Sequence, residues 1–394
     1  MSRTLTELDE WPRHPTIDTF DRVVTDSPYW SDGYWFCVGD PDGALNMITA
    51  IRFYPNTNVA DGYACLSLDD GKQYNLRCSR RLRPRIDDIE VGPLWLEIVK
   101  GLRTMDFGCR DNPHGIEFDL HWEGAAPVWD ETPGKTGVMD GHIVFQRSNF
   151  VQVGYVTGKI RVKGREFSVD ESWIGARDHS WGLGDTGGGK KTNPYAAPSR
   201  AGGAGIDGAA GLRNFGLRQW ALVRFPRRSL YYSLHRNAEG VFSSFLNRMV
   251  YPYDSDKRSW TYRSAEVESI EYVDGQRRLD RAEVAFHRYG GKIDRYAMQV
   301  VSKPLYMQGG GYWNGFDDGL GRGVYRGEEI LEGDVWDVSH PTLVCDEQGR
   351  DIPQVNGAWA ESFARFWNLD DPEETGLGLI ECVVSGPYPG IDEE

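Results

Sequence analysis

The sequence has little of what holds small secreted or metal-bound folds together. Only six cysteines occur in 394 residues: Cys37, Cys65, Cys78, Cys109, Cys345 and Cys382. No two form a Cys-x-x-Cys pair, so a zinc ribbon or dithiol redox motif is not expected. So few thiols in so long a chain also argue against a disulfide framework. No stretch approaches about 20 consecutive apolar residues, so no membrane span is expected. The opening run Met1-Ser2-Arg3-Thr4-Leu5-Thr6-Glu7 lacks the apolar segment of a signal peptide. No Asn-x-Ser/Thr acceptor occurs. A cytoplasmic location with reduced thiols is therefore expected. Positive charge is short as well: 44 Lys and Arg face 59 Asp and Glu, a net charge of −15. That excess argues against nucleic acid and against an anionic membrane surface, because both need clustered cations. The run Arg80-Arg81-Leu82-Arg83-Pro84-Arg85 is the exception, and it reads as a solvated local patch.

Several catalytic signatures are missing. No Gly-x-Ser-x-Gly elbow and no His-Glu-x-x-His pair occurs. His114 and His121 lie seven apart, on opposite faces of any one strand. Asp337 and His340 lack a third ligand, so no metal site and no cofactor is expected. Gly182 to Gly187 matches Gly-x-Gly-x-x-Gly, but Gly188-Gly189-Lys190-Lys191 is a poor helix start for a dinucleotide fold. Gly184 to Lys190 has the spacing of a phosphate loop, yet Lys191 stands where that loop needs Ser or Thr.

What is abundant is aromatic side chains and glycine: 14 Trp, 19 Tyr and 47 Gly. That mixture favours sheets and tight turns. Hairpin patterns recur. Ala64 to Leu68 meets Asp70-Gly71, and Gln73 to Leu76 follows. Ile160 and Val162 turn at Lys163-Gly164 into Phe167 and Val169. Val267 to Tyr272 meets Asp274-Gly275, and Tyr232 to Leu234 returns through Glu239-Gly240. The fold class is therefore all-β, as barrels or sandwiches. Pro93 to Lys100 fits either two helical turns or a buried strand.

Length allows about two domains. The boundary falls in the glycine-rich stretch 184–211, giving an N-terminal β-domain over 1–183 and a C-terminal one over 212–394. The stretch is either a linker or a mobile loop over a pocket.

One run carries candidate chemistry: Trp173-Ile174-Gly175-Ala176-Arg177-Asp178-His179-Ser180-Trp181-Gly182. In a strand from Phe167 to Trp173 the odd positions form an apolar face, and Glu171 would point inward with them. A carboxyl in apolar surroundings holds its proton and suits a general acid; the alternative is that Glu171 pairs with Arg177. Gly175 permits a bend. Beyond it His179 and Trp181 share a face, with Asp178 on the other. An imidazole moves protons near neutral pH, and an indole face shields a nearby cation. The bland alternative makes Asp178 a turn former and His179 a hydrogen-bonded core residue.

The Asp178-His179-Ser180-Trp181-Gly182 run resembles the signature of the carotenoid 1,2-hydratase (hydroxyneurosporene synthase) and AttH-like group. Gly327 to Gly333, Trp336-Asp337 and Glu361 are compatible with it. The resemblance implies two lipocalin-like β-barrel domains with a pocket near their junction. It also implies chemistry in which a carbon–carbon double bond is protonated and water captures the cation. The family's His and Trp correspond to His179 and Trp181. Its Tyr-x-Asp pair would fall at Tyr231 or Tyr232, but neither is followed by the Asp, which leaves Glu171 or Asp178 to supply the acid. The expectation is a cofactor-independent hydratase or dehydratase, isomerase or cyclase acting on a hydrophobic terpenoid, steroid or polyketide-like molecule. His179, Asp178 and Glu171 are its catalytic candidates. Trp173, Arg177, Trp181, Tyr231 and Tyr232 are its candidates for an apolar, aromatic-lined cavity. A non-catalytic carrier of an apolar small molecule would need the same cavity without a titrating group.

Overall fold

The computed structural model describes residues 5–12, 22–131, 135–139, 141–184, 216–273, 277–312, 316, 318–340, 344–352, 360–385 and 388. Four long strands come first: β1 (Trp30–Gly39), β2 (Leu45–Tyr54), β3 (Val59–Leu68) and β4 (Lys72–Arg81). Then follow β5 (Glu90–Val91), β6 (Leu94–Lys100), β7 (Thr104–Cys109), β8 (Ile116–Gly124) and β9 (Trp129–Asp130). After them run β10 (Lys135–Met139), β11 (His142–Val162), β12 (Arg165–Val169) and β13 (Ile174–Leu183). Beyond the glycine-rich stretch come β14 (Gly216–Phe225), β15 (Arg228–Arg236), β16 (Phe242–Val250), β17 (Ser264–Tyr272), β18 (Leu279–His287), β19 (Ile293–Val300) and β20 (Leu305–Tyr306). The last are β21 (Glu329–Asp337), β22 (Cys345–Asp346), β23 (Ala360–Asn368) and β24 (Asp371–Ser385). Two short 3-10 turns, Glu7–Glu10 and Met307–Gly310, are the helical elements among the described residues.

The strands build two curled antiparallel sheets, each barrel-like. The first runs β22-β21-β4-β3-β2-β1-β13-β11-β8-β7-β6-β5, and the second β16-β15-β14-β24-β23-β19-β18-β17. Each sheet comes mainly from its own side of the glycine-rich stretch. The exception is the β21–β22 ribbon, which crosses over and pairs β21 with β4 along nine residues from Glu329↔Arg80 to Asp337↔Lys72.

The hairpins form where the turn residues demand them. Asp70-Gly71 closes β3 onto β4, with the Asp70 carboxylate accepting from the Lys72 amide at 2.9 Å. Lys163-Gly164 closes β11 onto β12 with both residues at positive φ, 46° and 84°. Glu239-Gly240 lies between β15 and β16. β17 and β18 also pair, although Asp274-Gly275 lies outside the described residues. Pro93 to Lys100 takes its strand alternative, because Leu94 and Leu96 turn inward while Glu97 stays exposed.

Among the described residues three large apolar cores result, with a smaller cluster of Tyr306, Trp336, Val338, Val344 and Ala360 besides. One fills the first sheet and includes Phe36, Phe107 and Trp122. A second fills the other sheet, with Tyr232, Phe286 and Tyr296. The third lies between the sheets and includes Trp35, Cys37, Trp220, Tyr231, Phe363 and Leu379. This explains why β1, β2 and β3 are buried at every position. One face lines the first core and the other lines the junction, so alternation of apolar and polar residues is lost.

In the Arg80 to Arg85 run Arg81 and Arg85 are exposed, as a solvated patch requires, but Arg80 departs from it. Arg80 is 1 % exposed, and its guanidinium donates to the carbonyls of Glu90, Arg81, Leu82, Arg85 and Asp88. It organises its own loop from within. Among the described residues no helix is long and apolar enough to cross a membrane.

Candidate functional site

β13 sits between β1 and β11 and is where the first sheet meets the second. Alternation gives it two working faces. Ile174 and Ala176 belong to the junction core, so Asp178 and Ser180 face the junction too. Arg177, His179, Trp181 and Leu183 face the interior of the first sheet. Gly175 does not bend the strand. It pairs in register with Val38 and Gly154, and a Cβ there would lie 2.6 Å from Val156 Cγ2 and 3.0 Å from the Trp122 ring. The glycine makes room for the large rings of the first core.

The inner face holds a closed polar nest around a residue from the chain's beginning. Glu10, fully buried, accepts two parallel hydrogen bonds from Arg177, at 2.7 and 2.9 Å. His179, also fully buried, bridges Glu10 at 3.3 Å and Asp32 at 2.8 Å. The Leu102 amide donates to Glu10 at 2.8 Å, and Gln152 accepts from Arg177 Nε at 2.8 Å. Burial pushes the Glu10 carboxyl up, but the Arg177 charge and the hydrogen bonds from His179 and Arg177 outweigh it and hold it at about 2. His179 packs on Tyr34 at 4.4 Å and on Trp181 at 5.4 Å, edge to face.

The junction face carries a different set of groups. Asn149, from β11, donates to Glu131 at 2.7 Å and to Asp178 at 3.1 Å, so one amide links two carboxyls. Glu131 also accepts from the Trp220 indole at 3.0 Å, across the gap between the sheets. Burial raises the Glu131 proton affinity, against the hydrogen bond from Asn149 and the charge of Arg218, with Asp178 adding to the rise. On the second sheet Trp220, Glu381 and Glu361 stand in one row across β14, β24 and β23. Glu361 is 2 % exposed, and its Oε2 is buried without a hydrogen-bond partner. Burial pushes its carboxyl up to about 7, with Arg218 pulling only partly the other way. Arg218 pairs with Glu381. Trp35 meets Trp220 edge to face at 6.0 Å between these groups. A separate cleft of 710 Å³ lies toward the β16 edge of the second sheet, lined by Lys100, Arg103, Trp129, Arg248, Val250 and Tyr253 among others, and none of these carboxyls lines it. Trp129 and Val250 join this cleft to the junction core.

The residues singled out from the sequence thus divide. Asp178 faces the junction, whereas His179, Arg177 and Trp181 face the first sheet's interior. Trp173 is buried in the first core. Tyr231 lies in the junction, stacked on Trp129 at 6.2 Å, and its hydroxyl accepts from the Val153 amide at 3.2 Å. Tyr232 points the opposite way, into the second core, with its hydroxyl 3.4 Å from Gln219. Glu171 requires correction: it is exposed and does not point inward. The strand stops at Val169 because Asp170 turns the chain, its carboxylate accepting from the Ser172 amide at 2.9 Å and hydroxyl at 2.5 Å. Arg177 pairs with Glu10, not with Glu171. The linker or lid expected over 184–211, and both glycine motifs beyond Gly184, lie outside the described residues.

Sequence reasoning passed over Glu10, Asp32, Glu131, Asn149, Arg218 and Trp220. A local signal existed for Glu361 alone, as the one acid among apolar neighbours in Ala358-Trp359-Ala360-Glu361-Ser362-Phe363.

An all-β chain with two curled sheets and buried carboxyls between them defines a class, that of paired barrel-like domains with a polar junction. The chain belongs to a family of unknown function (DUF8625), whose model matches residues 5–391. No curated protein matches the sequence. Among solved structures it is similar to kievitone hydratase from Nectria haematococca, with a TM-score of 0.47, 11% identity, and 90% of this chain and 89% of that chain covered. It is similar to an AttH-type protein from Nitrosomonas europaea, at 0.49 and 10%, covering 90% and 92%. CghA gives 0.45 and 11%, covering 91% and 89%.

Proposed function

We propose that the protein is a cofactor-independent acid–base enzyme, of the hydratase/dehydratase, isomerase or cyclase kind, acting on a hydrophobic small molecule at the junction of its two sheets. The observation that carries this reading is Glu361: a buried carboxyl with an unused oxygen, held near pH 7 by its surroundings. Such a group still holds its proton in about half of the molecules at neutral pH and has a free atom from which to deliver it. Glu131 and Asp178, joined through Asn149, are the acceptors on the opposite wall. The faces of Trp35 and Trp220 suit a transient carbocation. Trp129 stacks on Tyr231 in the junction and also lines the 710 Å³ cleft, a volume in the range of small-molecule sites. His179 serves as a positioning residue. From the far side of β13 it ties the strand to Glu10 and Asp32, and so fixes Asp178.

The test uses the small molecules that co-purify with the protein. They are extracted, returned to fresh enzyme in ¹⁸O-water or deuterium oxide, and followed by mass spectrometry. Gain of ¹⁸O marks hydration, and gain of deuterium alone marks isomerisation or cyclisation. The variant Glu361→Gln is expected to lose about 10²–10⁴-fold in rate. Wild-type turnover by that variant removes Glu361 from the mechanism. Tight binding with no mass change favours a carrier.

A further inference from the structure

Two arginines meet on the junction face with no acid between them. Arg52, 6 % exposed, donates to the Ser31 hydroxyl at 3.1 Å, the Ser180 carbonyl at 3.2 Å and the Ser180 hydroxyl at 2.7 Å. Arg147, half-buried on β11, donates to the same Ser180 Oγ at 2.6 Å. Their acceptors are thus neutral serine oxygens, and among the described residues neither guanidinium forms an ion pair with a carboxylate. The hydroxyl oxygen has two lone pairs, and the two arginines take both.

The backbone is arranged to permit this meeting. Arg52, Gly33 and Ser180 stand in one row across β2, β1 and β13. A Cβ at Gly33 would lie 2.8 Å from both Cα and Cβ of Arg52. The bare strand at Gly33 lets the Arg52 side chain cross β1 and reach Ser180.

Like charges brought together away from water repel, and a fold does not keep them so without return. Burial lowers the proton affinity of Arg147, and the neighbouring Arg52 charge lowers it further, against the pull of Asp178. A third cation, Arg322, is 2 % exposed, lies over the Tyr312 ring at 3.6 Å and acts on Arg147 electrostatically. Asp61 acts on Arg322 in turn, so the cations left facing neutral oxygens are Arg52 and Arg147, in a protein whose net charge is −15.

We propose that Arg52 and Arg147 bind an anionic oxygen group, a carboxylate or an enolate, carried by the apolar molecule that the junction takes. This rests on the junction reading above and narrows its substrate class to apolar acids. Two guanidiniums converging on one point match the paired oxygens of such a group, which one ammonium would not. Ser180 follows Asp178 by two positions on one face of β13, so the anion sits about 7 Å along the strand from that carboxylate. The acid end is thereby held apart from the groups that would move protons.

The probes are 1-naphthoate and its neutral counterpart 1-naphthylmethanol, titrated into the full chain by calorimetry, with thermal unfolding in parallel. Wild type is expected to bind the carboxylate at least tenfold more tightly than the alcohol. Arg147→Met should erase that preference and leave the alcohol's affinity unchanged, with the thermal scan showing that the variant is folded. Arg147→Lys should recover part of the preference. Equal affinities in wild type overturn the proposal, as does a preference that survives in Arg147→Met. Alcohol binding with no gain for the carboxylate removes the anion site and leaves the apolar junction standing. Carboxylate binding without alcohol binding does the reverse, and no binding of either overturns both.

Discussion

At the residue scale, two buried glutamates behave in opposite ways because their neighbours differ. Glu10 has a guanidinium on both oxygens and is held at about 2, below its ordinary 4.5. Glu361 has only the charge of Arg218 to set against burial and rises to about 7 from the same 4.5. The sign follows from linkage. A depressed carboxyl lends stability that is present above its unfolded value and is lost as pH falls through its folded one. Glu10 should therefore cost the fold about 3 kcal/mol between pH 4.5 and 2, from a shift near two and a half units. Glu361 works the other way. It stabilises the fold relative to neutral pH when both states are protonated, and about 3 kcal/mol is lost as pH rises from 4.5 through 7. Urea unfolding at stepped pH checks both. Glu361→Gln should flatten the fall between pH 4.5 and 7 without touching the acid limb, and Glu10→Gln should flatten the acid limb alone. A fall that persists in Glu361→Gln would assign it to another group. Catalysis should follow the same carboxyl, with rate declining as pH rises past about 7 and the acid form empties.

At the scale of elements, local chemistry decided the hairpins and non-local contact decided their use. Asp70-Gly71 and Lys163-Gly164 turn as their composition requires, since a turn needs only adjacent residues. The alternation that puts His179 and Trp181 together was legible for the same reason. Glu171 was not, because the period-two count assumed a strand that the Asp170 side chain ends two residues earlier. The β21 ribbon shows the non-local case. Arg77, fully buried, reaches from β4 to Glu332 at 3.0 Å and Asp334 at 3.3 Å on β21, and to the Gly309 carbonyl at 3.1 Å. Removing it leaves two acids beside a buried gap. Arg77→Met should destabilise the protein by about 3–5 kcal/mol, with amide exchange accelerating first over Glu329–Asp337. Unchanged protection there would mean that main-chain pairing alone holds the ribbon.

At the scale of the whole molecule, the junction is a core in its own right. Trp220 ties it together: it packs on Trp35, belongs to the inter-sheet cluster and donates to Glu131 on the opposite sheet. With so much apolar surface shared, both sheets should unfold in one transition. Trp220→Ala should lower stability by about 3–5 kcal/mol through the cavity it leaves. It should also separate the far-ultraviolet and tryptophan-fluorescence melting curves that coincide in wild type. Coincident curves in the variant would show that other contacts couple the sheets.

The sequence by itself determined the all-β class, the hairpins and the pairing of an imidazole with an indole, because each depends on neighbours or on a period of two. It also marked the Asp178-to-Gly182 strand as the place to look. Only the tertiary structure decided which side of that strand meets which partner. His179 turns inward to Glu10, 169 positions away, and Asp178 turns outward toward Glu131 and the second sheet. The acid that best suits proton transfer, Glu361, has its proton affinity set by burial between two sheets whose contact no local pattern encodes.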